Sequence, residues 1–339
     1  MDTVTNLEHL PTAAETSAGV RFGYGSVDAQ LQQVEIRLRH ELQSRYECLA
    51  PVLRHGALLG GKRMRPALVM LAAEATGRAT DDHVTLATVL EMVHTATLVH
   101  DDLLDGAASR RHVPTVNAKW DAQTSILLGD YLFAQSFHLA ATLGDTRACQ
   151  WIGEAARKVC EGELRQVHSR DELDLDEATY IGIVQGKTAE LCSVACRLGA
   201  AYAGADGATV EALSQYGDAL GIAFQIADDY LDLWGDSFKT GKTLGTDLLQ
   251  GKMTLPLIRL LQASDALQRE QVLQILRGPA EQRLADLRPL LAASDAKTYT
   301  QQRALSFVDA ALTAISGLEE TPAKETLTKL ARFSVDRRF

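Results

Sequence analysis

The sequence predicts an all-α protein in which long helices surround a shared core. Its 339 residues are rich in Ala and Leu, 46% of them are hydrophobic, and only 6% are aromatic. From about residue 27 onward the apolar residues recur at helical spacing almost everywhere, with no convincing strand pattern. A chain of this length can bury a large core. We therefore expect one helical domain at residues 27–339, preceded by a flexible leader at residues 1–26.

Glycine and proline divide this domain into its predicted helices. Both residues disfavour helix interiors, so each break marks the end of one helix and the start of the next. The breaks fall at residues 55–66, 106–114, 144–145, 204–207, 235–251, 278–279, 289 and 317. This pattern predicts roughly ten or more helices in a single bundle.

The charge and the cysteines argue against several classes of protein. A net charge of −10 disfavours binding to a nucleic-acid backbone. There is no run of about 18 uncharged apolar residues, so we expect no transmembrane segment. The N-terminus lacks the positive and apolar regions of a signal peptide. The five cysteines form no short disulfide framework, and we expect them to be reduced in a cytoplasmic protein.

Two aspartate-rich segments are the strongest functional signal. Asp101 and Asp105 are four residues apart and share one face of a helix, and Asp228 and Asp232 repeat this spacing. A glycine follows each pair, which places both near helix C-termini, where the helix dipole and mutual repulsion disfavour carboxylates. Mg²⁺ reverses both effects, because it binds one or two carboxylates and completes its coordination with water and phosphate. One such segment is compatible with a solvated helix end, whereas two favour a metal site.

Basic residues near these segments are suited to bind phosphate. A glycine-rich turn at residues 60–66 carries three of them just before a predicted helix, whose free N–H groups favour anions. Arginine adds a planar fork that matches phosphate oxygens. Each residue alone would be interpreted as an ordinary surface cation or, for the histidine, as a core residue. The candidates are Lys62, Arg65, His94, Arg110, Arg111, Lys187, Lys242 and Lys252.

Together these segments resemble the trans-isoprenyl diphosphate synthase family. They occur in the family's order and span the chain from about residue 50 to residue 260. They read GGKRMRP (60–66), EMVHTATLVHDDLLD (91–105), RR (110–111), GKT (186–188), FQIADDYLD (224–232) and GKTLGTDLLQGK (241–252). The resemblance implies a helical bundle around a deep central cavity, with the two aspartate pairs facing each other at its mouth.

The resemblance also implies substrates, a cofactor and residue roles. The enzyme would condense isopentenyl diphosphate with an allylic diphosphate primer, and a homodimer is expected. Three Mg²⁺ ions would be bound by Asp101, Asp105, Asp228 and Asp232. The allylic diphosphate would be held by Arg110, Lys187, Lys242 and Lys252, and isopentenyl diphosphate by Lys62, Arg65, His94 and Arg111. The implied catalytic residues are Lys187, Thr188 and Gln225, the last two acting through their dipoles.

Two departures from the family pattern lie in one loop. Residues 106–109 read Gly-Ala-Ala-Ser, where many members carry acidic residues. His112 replaces a glycine that is common after the paired arginines. Neither change removes an expected metal ligand, and we expect both to affect the mobility of the loop or its affinity for metal.

The residues before Asp101 predict the product length. One helical turn rises about 5.4 Å, close to one isoprene unit, so the growing chain should extend along this helix. Short-chain members of the family block it with aromatic residues four or five positions before the first aspartate, where this chain has Thr97 and Ala96, with Val93 one turn deeper. We therefore expect an open tunnel and a product longer than farnesyl, such as octaprenyl diphosphate. Candidates for the tunnel floor, which are also compatible with plain core, are Phe133, Phe137 and Ile152.

Three alternatives remain open at this stage. A shorter-chain synthase, making farnesyl or geranylgeranyl diphosphate, differs only in the depth of the tunnel. A class I terpene cyclase shares the helical fold and one aspartate segment, but its second metal site usually has an Asn/Ser/Glu pattern. A subunit of a heteromeric synthase is the third, although non-catalytic partners typically lose an aspartate segment and both are intact here.

Overall fold

The computed structural model describes residues 23–170, 172–235 and 244–336, and they are predominantly helical. The prediction of an all-α protein is confirmed. The first ten helices are α1 Asp28–Glu41, α2 Ala50–Leu58, α3 Met64–Thr76, α4 Asp81–Leu104, α5 Val116–Lys119, α6 Ala122–Ala140, α7 Arg147–His168, α8 Glu177–Val184, α9 Glu190–Tyr202 and α10 Gly207–Trp234. A π-helical turn, Gln185–Ala189, joins α8 to α9.

The rest of the chain adds shorter helices and one strand pair. The later helices are α11 Thr246–Leu249, α12 Leu255–Ala263, α13 Ala266–Arg277, α14 Ala280–Ala293, α15 Ala296–Ala314 and α16 Pro322–Val335. Strands β1 Ser109–Arg110 and β2 Val113–Pro114 pair antiparallel in the loop after α4. Short 3₁₀ turns at Gly25–Val27 and Glu47–Leu49 precede α1 and α2.

The core is built around α3, α4, α9 and α10. Residues 65–73 of α3 are all buried, as expected for a helix that is covered on every side. The helix α4 packs against α3, α6 and α9, and α10 packs against α9 and α15. One continuous cluster of buried apolar side chains runs through these helices. The core thus fixes the positions of α4 and α10, which carry the two aspartate segments.

Three features of the fold differ from the sequence prediction. Pro289 lies inside α14 and does not end a helix. Both Pro289 and Ala285 are exposed, so water can satisfy the carbonyl that loses its helical hydrogen bond. The break predicted to begin at residue 55 begins later, because α2 continues to Leu58. The strand pair was missed because two-residue strands are too short to show alternation.

The end of the predicted leader lies against the helical bundle. Tyr24 is buried, and its hydroxyl donates to the backbone carbonyl of Lys62 at 2.8 Å. Residues 1–22 of the leader are outside the described residues. None of the described helices has both the length and the apolar character needed to cross a membrane.

Candidate active site

The C-terminus of α4 presents the first aspartate pair. Asp101 lies in the last turn, and Asp105 is the C-cap residue. Gly106 follows with φ of 62°, the left-handed conformation that glycine adopts most easily. Its N–H bonds to the carbonyl of Leu103, and the next N–H bonds to that of Asp102, the pattern of a Schellman motif. The glycine after the pair therefore ends the helix sharply and leaves both carboxylates at its tip.

Three cations converge on this pair. The Lys187 ammonium lies 3.7 Å from Oδ2 of Asp101. Lys252 contacts Oδ2 of Asp105 at 3.3 Å, and Arg170 contacts Oδ1 of the same carboxylate at 3.0 Å. Arg170 belongs to none of the motifs that the sequence singled out. The structure thus surrounds the predicted metal ligands with the positive charge that a diphosphate requires.

Despite these cations, burial disfavours the charged form of Asp101. Burial raises the pKa of Asp101 from its ordinary 3.8 to about 6, and Glu163 and Asp105 add to this increase while Lys187 opposes it. Glu163 also pairs with Lys187, whose ammonium donates to Gln166 at 2.8 Å. Glu163 and Gln166 lie on α7 and were not predicted, since nothing local in the sequence relates them to Lys187.

The π-helical turn brings Lys187 to the first aspartate pair and Thr188 to the second segment. A Cβ on Gly162 of α7 would lie 2.6 Å from the backbone N of Lys187, so only glycine permits this close approach of α7 to the turn. Thr188 donates to Oε1 of Gln225 at 3.0 Å, and Gln225 donates to Asp229 at 2.7 Å. The contacts of Lys187 and Thr188 show that the two aspartate segments face each other.

The middle aspartate of each segment has a different role from the outer two. Asp102 and Asp229 are both buried. Asp102 pairs with Arg110, whose Nη2 lies 2.8 Å from Oδ1. Asp229 accepts from the Tyr180 hydroxyl at 2.6 Å and from Gln225. Burial, followed by the charge of Asp247, raises the pKa of Asp229 well above its ordinary value. Each of these two buried carboxylates thus links its segment to another part of the chain, Asp102 to Arg110 and Asp229 to Tyr180.

Asp232, in the second segment, is held by backbone donors. Its carboxylate accepts from the N–H groups of Thr246 at 3.1 Å and Asp247 at 3.2 Å, at the start of α11. Burial lowers the pKa of the Arg111 guanidinium. The carboxylate of Asp228, one turn before Asp232, is close enough to oppose this decrease in part. A cavity of about 90 Å³ lies next to the second segment, and its lining includes Lys187, Thr188, Gln225, Asp229 and Lys252.

A second concentration of positive charge surrounds His94. Burial lowers the pKa of His94 well below its ordinary 6.5, and nearby arginines, led by Arg65 and Arg110, lower it further. His94 is therefore neutral near pH 7. Arg65 is itself buried, and its Nε has no hydrogen-bond partner among the described residues. A buried guanidinium with an unsatisfied donor is costly, and a bound anion would remove this cost.

The loop that carries the paired arginines is conformationally strained. Arg111 and His112 form the tip between β1 and β2 with φ values of 52° and 66°. A two-residue turn with both values positive favours glycine and asparagine. His112 thus occupies a position that glycine adopts without strain. Arg111 donates from this turn to the carbonyl of Gly60 at 3.0 Å, which ties the loop to the glycine-rich turn.

Arg63, unassigned by the sequence, anchors the glycine-rich turn. It precedes α3 in the left-handed conformation and forms ion pairs with Glu35 and Glu91. Lys62, the residue before it, is exposed, with its ammonium 5.9 Å from the ring centre of Phe333. Arg63 therefore stabilises the turn that presents Lys62 and the buried Arg65. Lys242, the remaining predicted cation, lies outside the described residues.

The predicted tunnel residues differ in their exposure. Val93 and Ala96 have no exposed surface, whereas Thr97 is half-buried and donates to the carbonyl of His94 at 2.7 Å. Of the floor candidates, Ile152 is completely buried, and Phe133 and Phe137 pack against the core from partly buried positions. Of the three residues predicted to line the tunnel beside α4, Thr97 is thus the one with exposed surface.

The donor set around the aspartates fits a hard divalent cation that also binds phosphate. Among residues 23–170, 172–235 and 244–336, no group of three or more His, Cys, Asp or Glu side chains is arranged to hold a metal ion. Mg²⁺ needs no such group, because one or two carboxylates suffice when substrate oxygens complete the octahedron. The pKa of Asp101, which burial raises to about 6, shows that the charged carboxylate is disfavoured without a bound cation.

Replacing Tyr180 with phenylalanine tests the hydrogen bonds around Asp229. The variant leaves the buried carboxylate short of one donor, so we expect a loss of about 1–3 kcal/mol in the free energy of unfolding. We also expect kcat to fall, because Asp229 orients Gln225. Urea unfolding and steady-state kinetics measure both effects. The control is Tyr202→Phe, which removes a hydroxyl bonded to Asp145 at 2.8 Å; an equal fall in kcat there would contradict the assignment.

Comparison with known proteins places the chain among its relatives. The sequence profile of the polyprenyl synthetase family matches residues 46–293. The octaprenyl diphosphate synthase of Escherichia coli is 35% identical over 279 residues, which cover 82% of this chain and 86% of that protein. A short chain isoprenyl diphosphate synthase of Methanothermobacter thermautotrophicus is 34% identical over 295 residues, covering 86% and 91%.

A solved structure agrees in fold. The polyprenyl synthase of Caulobacter crescentus, crystallised with calcium and isoprenyl diphosphate, superposes with a TM-score of 0.86. Its sequence is 35% identical, and the alignment covers 92% of this chain and 96% of that one. The profile match, the relatives and the fold lead to one conclusion: this chain belongs to the polyprenyl synthetase family.

Proposed function

We propose that this chain is a magnesium-dependent trans-prenyltransferase that condenses isopentenyl diphosphate with an allylic diphosphate. The observation that carries the proposal is the presence of two separate clusters of cations, each suited to bind an anion. One lies between the aspartate segments, and the other surrounds Arg65, a buried cation whose Nε lacks a partner among the described residues. A reaction with two diphosphate substrates needs both sites, whereas a cyclase with one diphosphate substrate needs only the first.

The first site is proposed to bind the allylic diphosphate. Mg²⁺, which we expect as three ions held by Asp101, Asp105, Asp228 and Asp232, would stabilise the negative charge of the departing diphosphate. Lys187, Lys252 and Arg110 would bind its oxygens, together with Lys242. Charge-assisted hydrogen bonds of this kind favour the leaving group over the intact ester.

Thr188 and Gln225 are proposed to stabilise the allylic cation. Gln225 donates its amide N–H to Asp229, so its carbonyl oxygen is the atom that accepts from Thr188. This network fixes the orientation of the amide, with its oxygen toward the π-helical turn. A fixed carbonyl dipole stabilises a nearby positive charge without reorganisation.

The second site is proposed to bind isopentenyl diphosphate. Arg65, Arg111 and the exposed Lys62 would neutralise its charge, and neutral His94 would donate one hydrogen bond. After the double bond attacks the allylic cation, a proton must leave, and the released diphosphate is a suitable base. No protein base is therefore required for the reaction.

The product is proposed to be longer than farnesyl diphosphate. Thr97 is small and borders accessible space, so the growing chain can pass it. The relatives include both an octaprenyl and a short-chain synthase, so family membership alone leaves the length open.

Thr97→Phe is expected to shorten the product, because an aromatic ring at this position would block extension along α4. Chromatography of the dephosphorylated products measures the change. Ala96→Phe, at a position with no exposed surface, should instead destabilise the fold by about 1–3 kcal/mol through overpacking. An unchanged product length in Thr97→Phe would place the growing chain elsewhere.

A homodimer is proposed as the active assembly. Large apolar side chains are exposed along α6 and α7, and exposed apolar patches often mark contact surfaces. The side chains are Ile126, Leu127, Leu164 and Val167. Light scattering of the purified chain tests this proposal.

The test of the proposed activity is incubation with labelled isopentenyl diphosphate, Mg²⁺ and each allylic diphosphate in turn. Elongated diphosphates are the expected products, and Asp228→Ala should abolish them. Asp286→Ala, on the exposed face of α14, is the control. Release of hydrocarbon, or full turnover by Asp228→Ala, would contradict the proposal.

A further inference from the structure

Arg170 is a cation at the site for which the proposed function has no role. It lies just after α7, and its Nη2 donates to Oδ1 of Asp105 at 3.0 Å. Lys252 donates to the other oxygen of Asp105 at 3.3 Å. One carboxylate is therefore shared between two cations from different segments of the chain, and the Arg170 side chain is only 29% exposed.

The contact with Asp105 leaves part of the Arg170 guanidinium unused. Its Nε is buried and has no hydrogen-bond partner among the residues that the structure describes. An arginine presents its donors as a planar fork, and a fork filled on one side only is poorly matched to its surroundings. A rotation of the side chain from Asp105 to a ligand anion would expose Nε and provide it with an acceptor.

The surroundings of Arg170 indicate which ligand would accept its hydrogen bonds. The preceding residue, Ser169, lines the cavity next to the second aspartate segment, together with Gln166 and two cations that contact the first aspartate pair, Lys187 and Lys252. Arg170 is thus beside the allylic site, on the side of Asp105. The fork of arginine matches two oxygens of a phosphate group.

We propose that Arg170 is a further binding residue for the allylic diphosphate, and that its contact with Asp105 is the ligand-free arrangement. This proposal rests on the proposed function, in which Asp105 binds a divalent cation. Once Asp105 is neutralised in this way, its attraction for Arg170 and Lys252 is lost. Both cations are then free to contact the diphosphate bound beside them.

Two variants of Arg170 test this proposal. Calorimetry with inorganic diphosphate at saturating Mg²⁺ should show about ten- to hundredfold weaker binding by Arg170→Gln, because a charge-assisted contact is lost. Arg170→Lys, which keeps the charge but loses the fork, should fall between Arg170→Gln and the wild type. Arg157→Gln is the control, since Arg157 lies on the surface of α7 and its ion pair with Glu161 is within that helix.

Steady-state kinetics then assign the substrate. The KM for the allylic diphosphate should rise in Arg170→Gln by a factor similar to the loss in diphosphate affinity. The KM for isopentenyl diphosphate and kcat should change by less than about twofold. Unfolding curves that match the wild type show that the variant is folded, and Arg170→Lys replaces it if they do not.

A different result would overturn the proposal. If Arg170 were only a counter-ion for Asp105, its removal would tighten Mg²⁺ binding without diphosphate and leave diphosphate affinity at saturating Mg²⁺ unchanged. Failure of the proposed function would give a different result from failure of the Arg170 proposal. A wild-type protein that binds inorganic diphosphate through Arg170, yet extends no allylic diphosphate, would refute prenyl transfer and leave the anion site intact.

Discussion

Replacing Asp101 with asparagine is expected to stabilise the metal-free protein at pH 8 while abolishing metal-dependent activity. The pKa of Asp101 is raised from 3.8 to about 6, chiefly by burial, so the folded protein binds this proton more tightly than the unfolded chain. Stability from this group is therefore lost as pH rises between about 4 and 6. Above pH 7 the charged carboxylate costs up to about 3 kcal/mol, and neutral asparagine avoids this cost.

Urea unfolding in EDTA measures this difference as a function of pH. We expect the stability gain of Asp101→Asn to grow from pH 4 to pH 6 and to level off above pH 7. Mg²⁺ with inorganic diphosphate should then raise the Tm of the wild type more than that of the variant. Ligand binding would thus offset the destabilisation that the buried Asp101 carboxylate causes in the ligand-free protein. Residues that serve function at the expense of stability are common at functional sites.

Asp145 provides a control of opposite sign. The pKa of Asp145 is lowered to about 2, mainly by its hydrogen bond from Arg147. Its stabilising effect is present above pH 4 and is lost as pH falls toward 2. Asp145→Asn should therefore destabilise the protein at pH 8, and should leave activity unchanged. If Asp101→Asn were also destabilising at pH 8 in EDTA, the inference that the buried carboxylate of Asp101 destabilises the metal-free protein would be refuted.

The helices and the outer aspartates were predictable from the sequence because local patterns determine them. Gly106 ends α4 by adopting a left-handed conformation, and that requirement is visible in the sequence itself. The four-residue spacing of Asp101 and Asp105 follows from helical geometry alone. The position of His112 also carried a local signal, since its φ of 66° explains why glycine is common there.

Contacts between distant segments were not predictable in this way. Arg170 and Asp105 are 65 residues apart, and Tyr180 and Asp229 are 49 apart. No periodicity or spacing relates such pairs. The packing of the bundle brings the ends of α4 and α7 together, and likewise α8 and α10. The π-helical turn that carries Lys187 is equally hidden, because its form depends on the close approach of α7 at Gly162.

Replacing Arg63 with methionine is expected to cause a large loss of stability, because it leaves a buried carboxylate without its partner. Arg63 pairs with Glu91, whose side chain is only 2% exposed, and with the partly exposed Glu35. Removing the arginine leaves the buried Glu91 charge without its hydrogen-bonded counter-ion, which costs about 3–5 kcal/mol. Urea unfolding at pH 7 measures this loss. Arg157→Met, at an exposed pair with Glu161, should cost less than about 1 kcal/mol.

The double variant Arg63→Met with Glu91→Gln separates stability from function. It removes the uncompensated charge, so it should regain much of the stability lost in the single variant. It does not restore the tie between Arg63 and Glu35, which fixes the glycine-rich turn to α1. The KM for isopentenyl diphosphate should therefore stay raised in the double variant, because Lys62 and Arg65 flank the altered residue. If the KM returned to the wild-type value along with stability, Arg63 would matter only for folding, and the geometry of the second anion site would not depend on it.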